Sequence, residues 1–508
     1  MAAGKEEIKR EILARMKEAD LVAEPEALEL ILSAENPEET ADALIASAKK
    51  FTISTEEVRN FLDSRAMENQ VVKVEVLQAT GYSPSAKDME SNLQLSIRNS
   101  DITNNSKCTG TVDDFVKHFK NRYQRQKRTL SGIRGDVEGQ YSINDVKKFL
   151  KNKTGRIIAM ITSKRITKNG HMLLEVEDEE ATASCLIPKD SNIMQEGMQI
   201  LEDEVLALDV YSSTSSLLIV KNFTRPGKIL QERRKRLIEK KAGIAFLSDL
   251  HVGSKYFLQK EFTNFLEFLQ GKGDEKQKAS AEKIKYISIA GDLTDGIGIY
   301  PGQEKQLITK DIYVQYEILS DFLQKIPEYI EVIVSPGNHD AVRGAEPQPA
   351  LPQEFTEKLK GLNNIHFVGN PSSHLVEGLD LLIYHGTSAD TLISHVPSLK
   401  DGYNRPELVA VGMLERRHLC PMYGEDAILP EEHDYLMIDE IPDMFHFGHV
   451  HRNGQIEDYN GTLIVNSGTW QGITDFQVRM GHVPTPCLLP VYDMNTGKLD
   501  TLNFGSGK

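Results

Sequence analysis

The chain has little that would mark it for export or a membrane. Its four cysteines, Cys108, Cys185, Cys420 and Cys487, are scattered over 508 residues with no C-x-x-C spacing. That argues against a disulfide framework or a zinc knuckle and for reduced thiols. No apolar run approaches the ~18 residues of a membrane span, and the N-terminal MAAGKEEIKREIL has no apolar core of a secretory signal. The expected setting is therefore the cytoplasm. Positive charge is also in deficit, with 59 Lys and Arg against 75 Asp and Glu and a net charge of −16. Bulk attraction to nucleic acid is excluded, so any such contact needs a local basic surface, a bound cation or a partner. What is present, 40% hydrophobic, 26% charged and 7% aromatic residues, is the make-up of a soluble globular chain. At ~150 residues per domain the length predicts about three domains.

Residues 1–66 read as a small helical module. Ile8, Ile12, Leu13 and Met16 recur at helical spacing, Asn36-Pro37-Glu38-Glu39 marks a helix start, and Ser54 with Glu57 forms a capping-box pattern. Such a module suits docking rather than catalysis. Residues 67–140 lose periodicity and predict a polar, partly disordered linker. Within it KHFKNRYQRQKR, Lys117 to Arg128, interleaves basic residues with Phe119 and Tyr123. It reads equally as a phosphate-binding, base-stacking stretch and as a solvated amphipathic helix. Residues 141–230 contain short strand-like runs and an Asn169-Gly170 turn, the pattern of a small β-barrel with an OB-fold as the candidate. QERRKRLIEKK, 231–241, reads as a charged helix face or a backbone-tracking segment.

Residues 242–500 alternate strand-length apolar runs with amphipathic helices, the pattern of a layered α/β domain with ligands beyond the strands' carboxyl ends. There the chemistry-bearing residues fall: Asp249-Leu250-His251, Gly291-Asp292-Leu293-Thr294-Asp295, Gly337-Asn338-His339-Asp340, His385-Gly386 and Gly448-His449-Val450-His451. In extended backbone, residues two apart point the same way, so Asp249/His251 and His449/His451 can each offer two groups to one site. Carboxylate, imidazole and one amide suit Mn, Fe, Zn or Ni rather than a thiolate-loving ion. One D-x-H or H-x-H is a weak signal; five such elements in order, each behind an apolar strand, are a specific one. Asp295 and Asp340 read either as capping residues or, for Asp340, as a group orienting His339. His446 and Trp470 read as packing residues.

This ordered set resembles the calcineurin-like metallophosphoesterase superfamily. The resemblance implies an α-β-β-α four-layer domain over 242–500 and a multidomain fold overall, with a β-barrel OB-fold and a helical module ahead of it. It implies two divalent ions, Mn2+ first, with Mg2+, Fe, Zn or Ni compatible. Asp249, His251, Asp292 and His451 would hold the first, and Asp292, Asn338, His385 and His449 the second. His339 would be the catalytic histidine that assists the leaving oxygen.

GDLTDGIGIYPGQE (291–304), RPELVAVGMLERRHLCPMYG (405–424) and NSGTWQGITDFQVRMGHVPTPCLLPVYD (466–493) further resemble the small subunits of archaeal D-family DNA polymerases. That likeness implies a 3′–5′ proofreading exonuclease within a two-subunit replicative polymerase, in a nucleoid-associated cytoplasmic setting. The implied partners are a large catalytic subunit and a single-stranded DNA 3′ end, with a sliding clamp or a primase as further candidates and no membrane. Arg343, Arg416 and Arg417 are candidates for steadying phosphate. A non-catalytic scaffold subunit and a stand-alone metallophosphatase are the competing readings.

Overall fold

The computed structural model describes residues 2–34, 36–48, 51–59, 61–62, 81–133, 139–148, 154–214, 217–228 and 233–505. Among them no helix is long and apolar enough to cross a membrane. The chain is a multidomain mixed α/β protein.

At the N-terminus, helices Ala2–Glu18, Pro25–Ser33 and Pro37–Ser47 gather around Ile12, Met16, Ala27, Ile31, Ala41 and Leu44. Ile12 and Met16 are buried as the spacing predicts, whereas Leu13 is exposed. The Glu57 carboxylate accepts from the Ser54 backbone N–H at 2.7 Å, and the Ser54 hydroxyl accepts from the Glu57 N–H, the reciprocal pattern expected there.

The next unit is the expected small barrel. Strands Thr154–Ile166, Met172–Glu177, Thr182–Ile187, Leu217–Thr224 and Val205–Thr214 close in that spatial order. Alternation sorts the first strand: Ile157, Ala159 and Ile161 fill the interior, while Ile158 and Met160 pack outward beneath Tyr123 and Leu130. Gly170, at φ +83°, supplies the left-handed turn residue that the Asn169-Gly170 pair predicts.

Residues 242–505, joined by Leu93–Gln94 at one edge, build two six-stranded sheets. The first runs Ile365–Phe367, Glu331–Ser335, Ile284–Ala290, Gly243–Leu247, Leu488–Asp493, Lys498–Asn503, its first four strands parallel. The second centres on parallel Leu379–Tyr384, Met444–Phe447 and Thr462–Ser467. Strand periodicity makes both faces apolar: Ile244 and Phe246 meet Leu381, Ile383 and Val465 of the opposite sheet, while Ala245 and Leu247 face Phe262, Phe265 and Leu319 of the covering helices. Leu392, Val409 and Met413 cover the far face of the second sheet.

Part of the stretch expected as a polar linker is ordered. Residues 67–80 and 134–138 of that stretch lie outside the described residues, but 81–133 do not behave as a tether. Leu93–Gln94 extends the second sheet at its edge, Arg98 pairs with Asp380 at 2.8 Å, and Asp101 accepts the Gly369 N–H at 3.0 Å. Its Ser, Asn and Asp side chains make hydrogen bonds to residues hundreds of positions away, which composition cannot distinguish from solvation. The basic-aromatic stretch is also corrected. It forms most of helix Val112–Ser131, capped by Thr111 and Asp114, and its central arginines face protein rather than phosphate. Arg122, 1% exposed, donates to Asp434 at 2.7 Å and to the Pro421 carbonyl at 2.8 Å, while Arg125 pairs with Asp439. From 233 onward, the second basic run is irregular rather than helical, with Arg233 and Arg236 both on Asp443.

Two consequences are measurable. Asp434→Asn leaves the Arg122 charge buried without its partner, so the unfolding midpoint in urea falls by the equivalent of ~3–5 kcal/mol; an unchanged midpoint would contradict the pairing. Acid acts through two buried histidines remote from the strand-end loops. Burial pushes His374 down to about 3, and its Nδ1 accepts the Ser96 N–H at 3.2 Å. Burial and the nearby Arg122 push His418 down to about 4, and its Nδ1 accepts the Cys420 N–H at 3.1 Å. The unfolded chain takes up these protons near pH ~6.5 and the folded one does not. This stability is therefore complete above ~6.5 and is lost as pH falls toward 4, at up to ~1.4 kcal/mol per pH unit for each group. Melting temperature should fall from pH 6.5 to 4.5, and more shallowly in His374→Gln.

Candidate metal centre

Five loops at the strands' carboxyl ends meet over the two sheets, and backbone hydrogen bonds stitch them together. The Asp249 N–H donates to Gly291 O at 2.9 Å, the His251 N–H to Asp292 O at 3.0 Å, and the Gly448 N–H to His385 O at 2.8 Å. Side chains add two further links. The Asp249 carboxylate accepts the His449 N–H at 3.0 Å, and Asp292 accepts the His339 N–H at 2.9 Å. Loops this close need glycine: a Cβ at Gly337 would lie 2.2 Å from Asp292 Oδ1, and one at Gly448 2.4 Å from Asp249 Oδ2. Asp249, His251, Asp292, His449 and His451 all have left-handed φ, between 50° and 71°. Such backbone costs on the order of 1–3 kcal/mol per non-glycine residue and collects at functional sites.

The sequence-derived residues converge. Donor atoms of Asp249, His251 and His451 lie within 4.8 Å of one another, as do those of Asp249, Asp292 and His385. His385 Nδ1 donates to Ala290 O at 2.8 Å, which turns Nε2 toward Asn338 Oδ1 at 2.9 Å and Asp292 Oδ1 at 3.3 Å. A neutral imidazole there presents a lone pair to two oxygens. His251 and His451 face each other Nε2 to Nε2 at 2.9 Å. That pair requires a shared proton or a cation between the rings, and His451 Nε2 lies 3.3 Å from Asp249 Oδ1. Inward-facing lone pairs and carboxylates in a buried pocket fit divalent cations by charge and by donor type. His449 stands at the rim, its ring 5.3 Å from that of His385 and its Nε2 3.1 Å from Asp390.

The electrostatics agree with that fit. Burial alone would raise Asp292, but His385, His339 and His251 hold it well below the usual carboxylate range. Burial opposes charge on His385, yet Asp292 and Asp249 push the imidazole up to about 10; His251, against Asp295 and Asp292, reaches about 9. The pocket attracts positive charge.

Several side-chain roles differ from expectation. Asp340 does not orient His339; buried, it accepts the Gly337 N–H at 2.8 Å, the Leu293 N–H at 3.1 Å and the Tyr316 hydroxyl at 2.9 Å, so it ties down the loop. His339 Nδ1 is set instead by the Asp295 carbonyl at 2.8 Å. The Asp295 carboxylate lies 3.1 Å from His251 Nδ1. The candidate phosphate-binding arginines are engaged elsewhere: Arg416 with Glu204, Arg343 with Pro347 and Ser106, and Arg417 with the Asp439 carbonyl. His446, between Ser288 and Ser467, and Trp470, against Phe262, are packing residues as read. Sequence reasoning missed Asp390 and Gln477, whose amide lies 2.7 Å from His451 Nδ1. Only Gln477 carried a signal, the Thr474–Gln477 capping box.

Comparison with known proteins follows the same chemistry-bearing half. A family model for the B subunits of DNA polymerases alpha and epsilon matches residues 244–453. The DNA polymerase II small subunit of Methanocaldococcus jannaschii is 42% identical over 415 residues, 80% of this chain and 68% of that protein. That of Methanothermobacter thermautotrophicus is 37% identical, covering 80% of this chain and 82% of its own. At 31% identity, that of Halobacterium salinarum matches along 93% of this chain and 94% of its own length. Identity of this order over most of both chains makes the protein a member of the family of archaeal DNA polymerase II small subunits.

Proposed function

We propose that the two-sheet domain is a calcineurin-like metallophosphoesterase acting as a 3′–5′ DNA exonuclease, that the barrel is an OB-fold, and that the chain works beside a large catalytic polymerase subunit. The observation that carries the reading is the convergence of Asp249, His251, Asp292, Asn338, His385, His449 and His451 on strained, glycine-flanked loops. The relatives' shared name supports the polymerase setting, and the words "small subunit" support a larger partner.

Asp249, His251, Asp292 and His451 would hold one cation; Asp292, Asn338, His385 and His449 would hold the other. Divalent ions in those positions, Mn2+ or an ion of similar preference, supply Lewis-acid charge and an activated water for in-line displacement at phosphorus. Hydrolysis then adds water oxygen to phosphorus, breaks the bond to the penultimate O3′ and releases a nucleoside 5′-monophosphate. The O3′ leaving group needs a proton. His339 is held by its Nδ1–H on the Asp295 carbonyl, with Nε2 3.9 Å from Asp292 Oδ2 at the pocket; as the imidazolium, with a proton on each nitrogen, it would give up the Nε2 proton to O3′. Asp295, Asp390 and Gln477 fix the rings of His251, His449 and His451, the role that hydrogen-bonded neighbours play around metal-binding imidazoles.

The test incubates the full chain, alone and with its large subunit, with Mn2+ and a 5′-labelled single strand. Stepwise shortening from the 3′ end should disappear in Asp292→Asn and His451→Ala and fall by ~10²–10⁴ in His339→Ala. An intact strand under both conditions would favour the scaffold reading, and release of phosphate from an aryl phosphate with DNA untouched would favour a phosphatase. Calorimetric titration with Mn2+ should show affinity lowered ~10–100-fold in Asp390→Ala and Gln477→Leu; wild-type affinity in both would remove their positioning role.

A further inference from the structure

The pocket over the candidate metal centre has a volume of about 230 Å³, and among the described residues no Lys or Arg lines it. What lies at its side is aromatic. Tyr300 and Phe476 both line it, their rings 5.8 Å apart and 28° from parallel, and Phe476 is 43% exposed. Phe476 is exposed together with Ile473, Val478, Met480 and Val483 of the same segment, more apolar surface than singly scattered residues give, and such a run marks a binding face. Directly beyond this pair, from Pro301 on one loop and Asp475 on the other, opens a second hollow of about 510 Å³. Lys255, Lys305 and Arg479 line it with Asp475 as its carboxylate; Lys255 Nζ donates to the Lys305 carbonyl at 2.8 Å and Arg479 Nε to the Asp475 carbonyl at 3.2 Å, bonds that use one donor of each and hold the cations at the hollow. Three cations against one acid make a local positive spot in a chain of net charge −16.

We propose that Tyr300 and Phe476 form a stacking step for the nucleobases of an unpaired strand, and that the hollow beyond them carries the strand's phosphates on Lys255, Lys305 and Arg479. Aromatic steps beside a cationic groove are the general means of gripping single-stranded nucleic acid without reading sequence. The arrangement rests on the nuclease reading and deepens it: the substrate is a single-stranded end. The loop carrying Tyr300 begins at Asp292, and Phe476 precedes Gln477, the neighbour of His451. The step is thus built on the segments that shape the site.

The test separates this track from the nuclease reading. Full-length protein in EDTA is titrated onto an oligonucleotide with 2-aminopurine at its 3′ end, where stacking quenches fluorescence without any turnover. Quenching is expected with the wild type, is lost in Phe476→Ala and Tyr300→Ala, and returns in Phe476→Tyr. Binding should also weaken with salt by one phosphate's worth less, a slope change of about 0.7, for each of Lys305→Ala and Arg479→Ala. With Mn2+, wild type should remove a base-bearing terminal nucleotide about tenfold faster than an abasic one, a preference that Phe476→Ala abolishes. Cleavage by the wild type with quenching, base preference and salt slope unaltered in the variants would overturn the track and leave the nuclease. No cleavage by any form would overturn the nuclease reading, and the quenching titration then decides the track by itself: quenching lost in Phe476→Ala supports it, and none in the wild type overturns it.

Discussion

The constraint on which this structure turns is keeping carboxylates ionised where water does not reach. Asp249 and Asp292 are buried at the meeting point of five loops, and an isolated buried carboxylate would neutralise rather than stay charged. Imidazoles on all sides and backbone N–H groups of His449 and His339 hold them in the charged form. That requirement explains features that are otherwise costly. The loops must approach closely enough to share hydrogen bonds, so glycine stands at Gly337 and Gly448, and five non-glycine residues accept left-handed backbone. Two sheets buried on both faces supply the rigidity that keeps those loops from relaxing.

Much of this was legible because strand periodicity and ligand spacing are local. Each apolar run ended where a site residue began, and each H-x-H or D-x-H marked two groups that reach the centre, although they do so on left-handed backbone and not on the extended backbone that the i, i+2 argument assumed. The closed barrel was legible for the same reason, from short alternating strands and the Asn169-Gly170 turn. Roles that depend on distant partners were not. Asp390 meets His449 across 59 positions, and nothing near it in the sequence marks it. Asp340 resembled an orienting acid because it follows His339, but its hydrogen bonds run to backbone on two loops. The segment 81–111 looked like a tether because the same polar side chains serve a solvated coil and a covered sheet edge.

Arginines show the same limit from the opposite side. Basic residues suggested phosphate contacts, yet Arg122 and Arg416 are buried in pairs with Asp434 and Glu204. Guanidinium suits such positions because its planar fork matches a carboxylate and carries a lower hydration penalty than an ammonium. Charge tied up internally does not project a field, so a count of basic residues overstates the attraction for DNA. An acidic chain that handles nucleic acid must therefore concentrate its positive charge in a few places. The hollow lined by Lys255, Lys305 and Arg479 is one place where this chain concentrates positive charge.

The internal pairs also determine how the barrel relates to the site. Helix Val112–Ser131 holds both units at once: its Tyr123 hydroxyl donates to the barrel's Ile158 carbonyl at 2.8 Å, while Arg122 grips Asp434 of the larger domain. Arg416 joins Glu204 from the other side and donates to Gln199 O at 2.7 Å. Across the junction itself Arg416–Glu204 is buried and charge-assisted, and the Tyr123 hydroxyl adds a neutral bond, so the junction cannot open without leaving the Arg416 and Glu204 charges unpaired. The barrel is thus fixed to the two-sheet domain rather than a module swinging on a linker. The entropy of aligning barrel and two-sheet domain is therefore lost once, on folding, instead of at each binding event.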